Sequence, residues 1–342
     1  MKFCVSQLLL LAFAIACAGG RVADPASRSI VSEELRIPAA DAGIELYLRN
    51  KHPAALDPAK IVLFVHGGGW GGEATFDLQL DGTSWLDYVA AHGWDAWLVD
   101  VRGHGASTKP PEMERPAAES PPIVRTDVAL RDVGSATELI LKRRGASRIA
   151  LIGWSWGAAI VGTFATRHRE SLSRLVLGAP GWLRSGPVDT TPLGAYLMME
   201  PRFSVERAQR NVPPEKKAGL MPAAWIAQFE AAALAGDPEG AKQTPPVVRY
   251  PSGMVQDGRE YWAAGKPYYD PSQIDVPVLV IHAEWDAMLP SSLARAVFDH
   301  LTNAPRRRFV EVGEGTHFVF LEKNRFQVFR EVQLFLDEPA RP

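Results

Sequence analysis

Cysteine is nearly absent from this 342-residue chain, because Cys4 and Cys17 are its only two cysteines and both lie in the first twenty residues. The rest of the chain therefore has no disulfide, no thiol nucleophile and no cysteine-ligated metal. The sequence also lacks a dinucleotide-binding glycine fingerprint and a metal-ligand cluster, so it predicts no cofactor. The formal net charge is only −2, which gives no electrostatic reason to expect a nucleic-acid partner.

A long apolar run is missing as well. The apolar stretch at residues 5–15 is too short to span a bilayer. Lys2 precedes it and small residues follow it at 16–18, which is the layout of a secretory signal. We expect residues 1–18 to be a signal peptide and the protein to be periplasmic or secreted. Two alternatives remain open: lipidation of Cys17 after Ala14-Ile15-Ala16, which would anchor the protein to lipid, or an uncleaved membrane anchor.

What the chain does contain is a repeated alternation of short buried strands and helices. Two strands with antiparallel character come first, at 30–37 and 44–48, on either side of a turn. The following strands are apolar throughout, which is typical of a parallel sheet covered on both faces. These strands are predicted at 61–65, 96–99, 149–152, 175–177, 278–281 and 308–312. The pattern predicts an α/β fold with a mostly parallel central sheet flanked by helices.

The alternation stops between residues 182 and 270. This stretch is rich in proline and aromatic residues, it has an alanine-rich helical pattern at 223–235, and it shows no strand pattern of comparable quality. We interpret it as a mostly helical cap over the carboxyl edge of the sheet, where open α/β folds bind ligands. The predicted organisation is a core in two parts, 28–181 and 271–338, interrupted by a cap insertion at 182–270.

The most informative motif is Gly153-X-Ser155-X-Gly157, which lies between a buried strand and a helix. A nucleophile on such a sharp turn occupies a strained backbone position, and flanking glycines let the neighbouring chain approach without a clash at a β-carbon. We therefore predict that Ser155 is the nucleophile of a serine hydrolase.

A serine hydroxyl needs an adjacent base, and the base needs an orienting acid. His317 directly follows the last predicted strand, where a loop could bring its imidazole over Ser155. The acid is expected after the preceding strand, where Glu284 and Asp286 are both present. We favour Asp286, because Glu284 is nearer the strand end and suits a supporting role in the loop. The strand ending at Leu177 has no acid after it, so that alternative position is empty.

Negative charge that develops on the substrate oxygen needs preorganised donors. We predict the backbone N–H groups of Trp156, which follows the nucleophile, and of Gly68 in the His66-Gly67-Gly68-Gly69 run. His66 itself is expected to support this loop by hydrogen bonding.

These motifs together resemble the α/β-hydrolase superfamily, and they occur in its order over nearly the whole chain. The resemblance implies that the segment from Asp100 to Ser107 is a structural loop, so that Arg102 and His104 are not catalytic. The Ser-Trp-Gly elbow is similar to that of prolyl aminopeptidases. Those enzymes, however, usually have His-Gly-Gly-Pro-Gly where this chain has His66-Gly67-Gly68-Gly69-Trp70.

The sequence favours a carboxylic-ester hydrolase that acts on a small hydrophobic or aromatic molecule through an acyl-enzyme. An aminopeptidase or amidase is the alternative, and it would need an acidic cluster in the cap, for which Glu200, Glu206, Glu230 and Glu260 are available. A non-catalytic binding module would lack a member of the triad, and none is missing. Dehalogenase or epoxide-hydrolase chemistry would require an aspartate where Ser155 stands.

Overall fold

The computed structural model describes residues 29–184 and 187–339. The predicted signal peptide and the prediction about Cys17 lie outside these residues. The strands are β1 (Ile30–Pro38), β2 (Glu45–Pro53), β3 (Ile61–Val65), β4 (Asp95–Val99), β5 (Ile149–Trp154), β6 (Leu172–Gly178), β7 (Tyr196–Met199), β8 (Val248–Pro251), β9 (Val278–Ala283) and β10 (Arg307–Val312).

Helices follow or separate most of these strands. They are α1 (Gly72–Phe76), α2 (Trp85–Ala91), α3 (Thr126–Arg144), α4 (Trp156–Arg167), α5 (Pro201–Ala208), α6 (Pro214–Leu220), α7 (Ala223–Ala235), α8 (Pro238–Ala241), α9 (Gly253–Asp257), α10 (Ser291–His300) and α11 (Arg325–Asp337). A π-helix at Gly258–Trp262 continues α9. Across the described ranges, no helix combines the length and the apolar character that crossing a membrane requires.

Eight strands form one sheet in the order β1-β2-β4-β3-β5-β6-β9-β10. The pairs β1–β2 and β2–β4 are antiparallel, whereas the remaining neighbours are parallel. Strands β3, β4, β5 and β9 are buried along their whole length, since helices cover both faces of the sheet. The predicted fold class, a mostly parallel sheet flanked by helices, is confirmed.

The strand order reverses direction in the middle of the sheet. Strand β3 has β4 on one side and β5 on the other, so the chain leaves β3 in one direction and later returns on its opposite side. Open α/β sheets bind ligands at such a switch point, outside the carboxyl ends of the strands. The glycine-rich run from His66 and the motif around Ser155 follow β3 and β5, so both begin at this switch point.

The stretch between residues 182 and 270 contains helices α5 to α9, but it also contains strands. Strands β7 and β8 pair antiparallel as a separate two-stranded sheet. The sequence analysis missed this sheet because each strand has four residues and is too short to show an alternating pattern. The helix predicted at 223–235 has the same bounds as α7.

Candidate active site

Ser155 stands on a strained turn between β5 and α4. Its backbone has φ 58° and ψ −118°, a positive φ that non-glycine residues rarely adopt. A β-carbon on Gly153 would lie 2.2 Å from the carbonyl oxygen of Gly157, and one on Gly157 would lie 2.2 Å from that of Val65. Because real side chains cannot come so close to backbone, glycine is required at both positions. The turn is fixed further by a 2.8 Å bond from the N–H of Ser155 to the carbonyl of Gly178.

The glycine-rich loop after β3 lies directly against this turn. A β-carbon on Gly67 would be 3.1 Å from Cβ of Ser155 and 3.6 Å from its Oγ. His66 supports the loop from below, since it is fully buried and its Nε2 accepts the N–H of Val101 at 3.0 Å. Its Nδ1 therefore carries the hydrogen, and it donates to the carbonyl of Gly67 at 2.6 Å. Burial lowers the pKa of His66, which keeps the ring neutral in this supporting role.

Asp286 and His317 come from separate loops and meet through one hydrogen bond. His317 Nδ1 lies 2.7 Å from Asp286 Oδ2, while Asp286 Oδ1 accepts the N–H groups of Met288 at 2.8 Å and Leu289 at 2.9 Å. Burial alone would raise the pKa of Asp286, but the adjacent imidazole of His317 and these hydrogen bonds hold it below its ordinary value. Because an ionised carboxylate only accepts, Nδ1 of His317 carries the hydrogen, and Nε2 is left free to act as a base.

The loop that carries His317 is attached to the turn at Ser155. Trp154, which precedes Ser155, is buried and donates from Nε1 to the carbonyl oxygen of His317 at 3.0 Å. This bond connects the end of β5 with the loop after β10. The residue on the other side of Ser155 is also held, since Nε1 of Trp156 donates to Oγ1 of Thr126 at 2.9 Å. Its backbone N–H lies in the first turn of α4, where helical N–H groups have no partner within the helix.

A buried carboxyl group supports the same loop from behind. Glu322 accepts the backbone N–H of Thr316 at 3.0 Å and also contacts its hydroxyl, so it fixes the residue before His317. Burial raises the pKa of Glu322 to about 7, and the negative charge of Asp286 adds to that rise against the hydrogen bonds from Thr316. The sequence analysis did not identify Glu322. The available signal was an acid directly after the apolar run at Phe318–Leu321.

His282 is a second residue to which the sequence analysis assigned no role. It is buried near the end of β9, its Nε2 donates to the carbonyl of Leu289 at 2.7 Å, and it lies 3.7 Å from Asp286 Oδ2. His282 thus holds the loop whose N–H groups bind Asp286. Glu284 accepts the N–H of Glu314 at 2.8 Å, so it ties the two loops together without contacting His317 in the hydrogen-bond network.

Arg102 and His104 are held in structural contacts. The guanidinium of Arg102 binds the buried carboxylate of Asp132, with Nε 3.0 Å from Oδ1. The ring of His104 packs 4.9 Å from that of His66. Burial lowers the pKa of His104 well below its ordinary value, so this ring is neutral as well.

Apolar side chains from the segment 182–270 cover the glycine-rich loop. A β-carbon on Gly68 would lie 2.1 Å from Sδ of Met254, and one on Gly69 would lie 3.6 Å from Cε of Met199. On the side of His317, the ring of Phe318 lies 5.5 Å from that of Phe229 and 6.0 Å from that of Trp70. Apolar side chains therefore lie against the glycine-rich loop and beside the residue after His317.

Comparison with known proteins agrees with this architecture. A family model described as "alpha/beta hydrolase fold" matches residues 60–324. Among curated proteins, the chain is 30% identical to Epoxide hydrolase 3 of Xenopus tropicalis over 91 residues, which are 26% of this chain and 22% of that protein. It is 25% identical to Protein ABHD8 of Homo sapiens over 272 residues, which are 77% of this chain and 52% of that protein. The chain thus spans about half of one curated relative and about a fifth of the other.

Solved structures with the same fold are more distant in sequence. A serine hydrolase involved in carbazole degradation, the CarC enzyme, is 18% identical with a TM-score of 0.57, over 89% of this chain and 99% of the other. A thermophilic esterase from Thermogutta terrifontis is 19% identical with a TM-score of 0.56, over 89% of this chain and 98% of the other. At these identities the likeness establishes the fold alone.

Proposed function

This chain belongs to the alpha/beta hydrolase fold family, and we propose that it is a serine hydrolase that cleaves a carboxylic ester of a small hydrophobic or aromatic molecule. Ser155 is the nucleophile, His317 the general base and Asp286 the acid that orients it. The observation that carries the proposal is the 2.7 Å bond between His317 Nδ1 and Asp286, which leaves Nε2 free. The loop of His317 is attached to Trp154, the residue before Ser155.

The proposed reaction has two halves. Oγ of Ser155 attacks the ester carbonyl and gives its proton to Nε2 of His317, while the N–H groups of Gly68 and Trp156 bind the negative oxygen. The bond to the alcohol oxygen then breaks, and His317 returns the proton to that oxygen. In the second half, water gives a proton to His317, attacks the acyl-enzyme and releases the carboxylic acid as the Ser155 hydroxyl forms again.

The ester assignment is favoured by the apolar side chains around the glycine-rich loop and by the ion pairing of two of the four cap carboxylates, Glu230 and Glu260. An aminopeptidase needs free carboxylates to bind the substrate ammonium. Of the four acids available for this, Glu230 lies 2.7 Å from Arg202, and Glu260 forms an ion pair with Arg125. A serine hydrolase and an esterase are also among the proteins that share this fold.

A substrate panel tests the proposal. We expect the protein to hydrolyse p-nitrophenyl and alkyl esters faster than amino-acid anilides. Ser155→Ala should abolish ester turnover, and the control Ser135→Ala, which changes a serine on helix α3, should leave it intact. Equal turnover by Ser155→Ala and the control would remove the nucleophile assignment, and a preference for anilides would replace the esterase with the aminopeptidase.

A further inference from the structure

Met254 lies directly on the proposed oxyanion loop. A β-carbon on Gly68 would come within 2.1 Å of its Sδ and 2.2 Å of its Cε, so the end of the thioether rests on the α-carbon of Gly68. Because the substrate carbonyl would bind the N–H of Gly68 in the proposed reaction, Met254 lies beside the place where that carbonyl would bind. Met254 is partly buried, so part of its surface remains exposed.

Short helix α9, which carries Met254, is held to the core at both ends. At its start, the N–H of Gly253 donates to the carbonyl of Ile123 at 2.9 Å. At its end, the buried carboxylate of Asp257 accepts the N–H of Thr126 at 2.7 Å. Thr126 also accepts the indole N–H of Trp156. The backbone beneath Met254 is thus fixed relative to the nucleophile turn, and the side chain forms a wall in a defined position.

The position of His317 in the proposed reaction indicates which part of the substrate lies beside Met254. His317 must protonate the departing alcohol, so the alcohol lies on the side of His317, and the acyl group extends away from it. Phe318, the residue after His317, and Phe229 are buried and pack, together with Met199, in the core on one face of the sheet. Met254 packs with the core on the other face, which includes Trp156. An acyl group that extends away from His317 would then lie on the Met254 side of the site.

We propose, on the premise of the esterase function above, that Met254 is the specificity-determining residue of the acyl subsite and restricts the enzyme to short acyl groups. Removing its side chain beyond Cβ frees the space of three heavy atoms, Cγ, Sδ and Cε. Burial of each further methylene of an acyl chain in that space favours binding about fourfold. Longer acyl chains therefore gain from the change, whereas acetyl esters do not reach the new space.

The test compares Met254→Ala with Met199→Ala, a matched methionine that lies over Gly69 on the other wall. For each, kcat/KM is measured on p-nitrophenyl acetate, butyrate, hexanoate and octanoate, which share one leaving group. We expect Met254→Ala to raise the octanoate-to-acetate ratio about tenfold or more. Met254→Leu keeps the volume and should keep the wild-type ratio. Met199→Ala should leave the acyl ratio unchanged and alter selectivity in a series of acetate esters of different alcohols.

The outcomes separate this inference from the function on which it rests. An unchanged acyl ratio in an active, folded Met254→Ala variant overturns the inference while the esterase function stands. An equal rise of the octanoate-to-acetate ratio in Met199→Ala overturns the assignment of Met254 to the acyl side and Met199 to the alcohol side. Failure of the wild-type protein to hydrolyse any ester, or full activity of Ser155→Ala, contradicts the proposed function itself.

Discussion

Glu322→Gln should make the protein less sensitive to alkaline destabilisation. The carboxyl group of Glu322 is buried behind the loop of His317, and its pKa rises from 4.5 to about 7. The folded chain therefore holds this proton more tightly than the unfolded chain. Stability from this group is fully present below pH 4.5 and is lost as the pH rises through about 7.

The size of the effect follows from the two pKa values. A tenfold difference in proton affinity corresponds to about 1.4 kcal/mol, so the loss of stability between pH 5 and pH 8 is about 2 to 3 kcal/mol. Glutamine does not titrate, and its amide can keep both contacts to Thr316, accepting from the N–H and donating to the hydroxyl. The loss should therefore disappear in the variant.

The assay is urea unfolding of wild type and Glu322→Gln at pH 5 and pH 8, followed by tryptophan fluorescence. Comparing the two proteins at each pH removes contributions that they share. These include the buried His66 and His104, whose lowered pKa values destabilise the fold as the pH falls below 6.5. Glu311→Gln removes a carboxylate from an exposed position of β10 and serves as the control for net charge. The reasoning is refuted if the difference between wild type and Glu322→Gln is the same at both pH values.

Three further substitutions test the connections within the site. Asp286→Asn should lower kcat for ester hydrolysis by about 10⁴-fold, because the amide no longer holds His317 in the tautomer that carries its hydrogen on Nδ1. A loss of kcat below tenfold would contradict this role. Trp154→Phe leaves the buried carbonyl of His317 without its donor, so urea unfolding should show a loss of about 1 to 3 kcal/mol, and an unchanged midpoint would argue against the bond. Gly157→Ala forces a β-carbon to within 2.2 Å of the Val65 carbonyl, and we expect thermal unfolding to show a cost of at least about 1 to 3 kcal/mol. A wild-type melting temperature would show that the turn can relax.

The sequence predicted the features that depend on local pattern. Strands such as β3 and β5 are apolar runs with turn signals at their ends, and their bounds were predicted to within two residues. The strained turn at Ser155 was also predictable, because its glycines are needed by backbone contacts that any such turn creates. The expectation that Asp286 orients His317 came from their positions after two successive strands, and the structure joins the two side chains by a hydrogen bond.

The features that were missed depend on contacts between distant segments. Glu322 and His282 look like an ordinary surface acid and an ordinary strand histidine until the fold buries them behind the loops that they support. Strands β7 and β8 are about fifty residues apart, and each becomes a strand only because the other pairs with it. Met254 carries no sequence signal, since its position over Gly68 depends on how α9 is attached to the core.

The most direct test of the central claim is the identification of the nucleophile by covalent trapping. The protein is treated with a fluorophosphonate, which phosphonylates activated serines, and the labelled peptide is identified by mass spectrometry. We expect one label on Ser155, no label in Ser155→Ala, and much slower labelling in His317→Ala because the base is missing. A label on a different residue, or equal labelling of wild type and Ser155→Ala, would contradict the account.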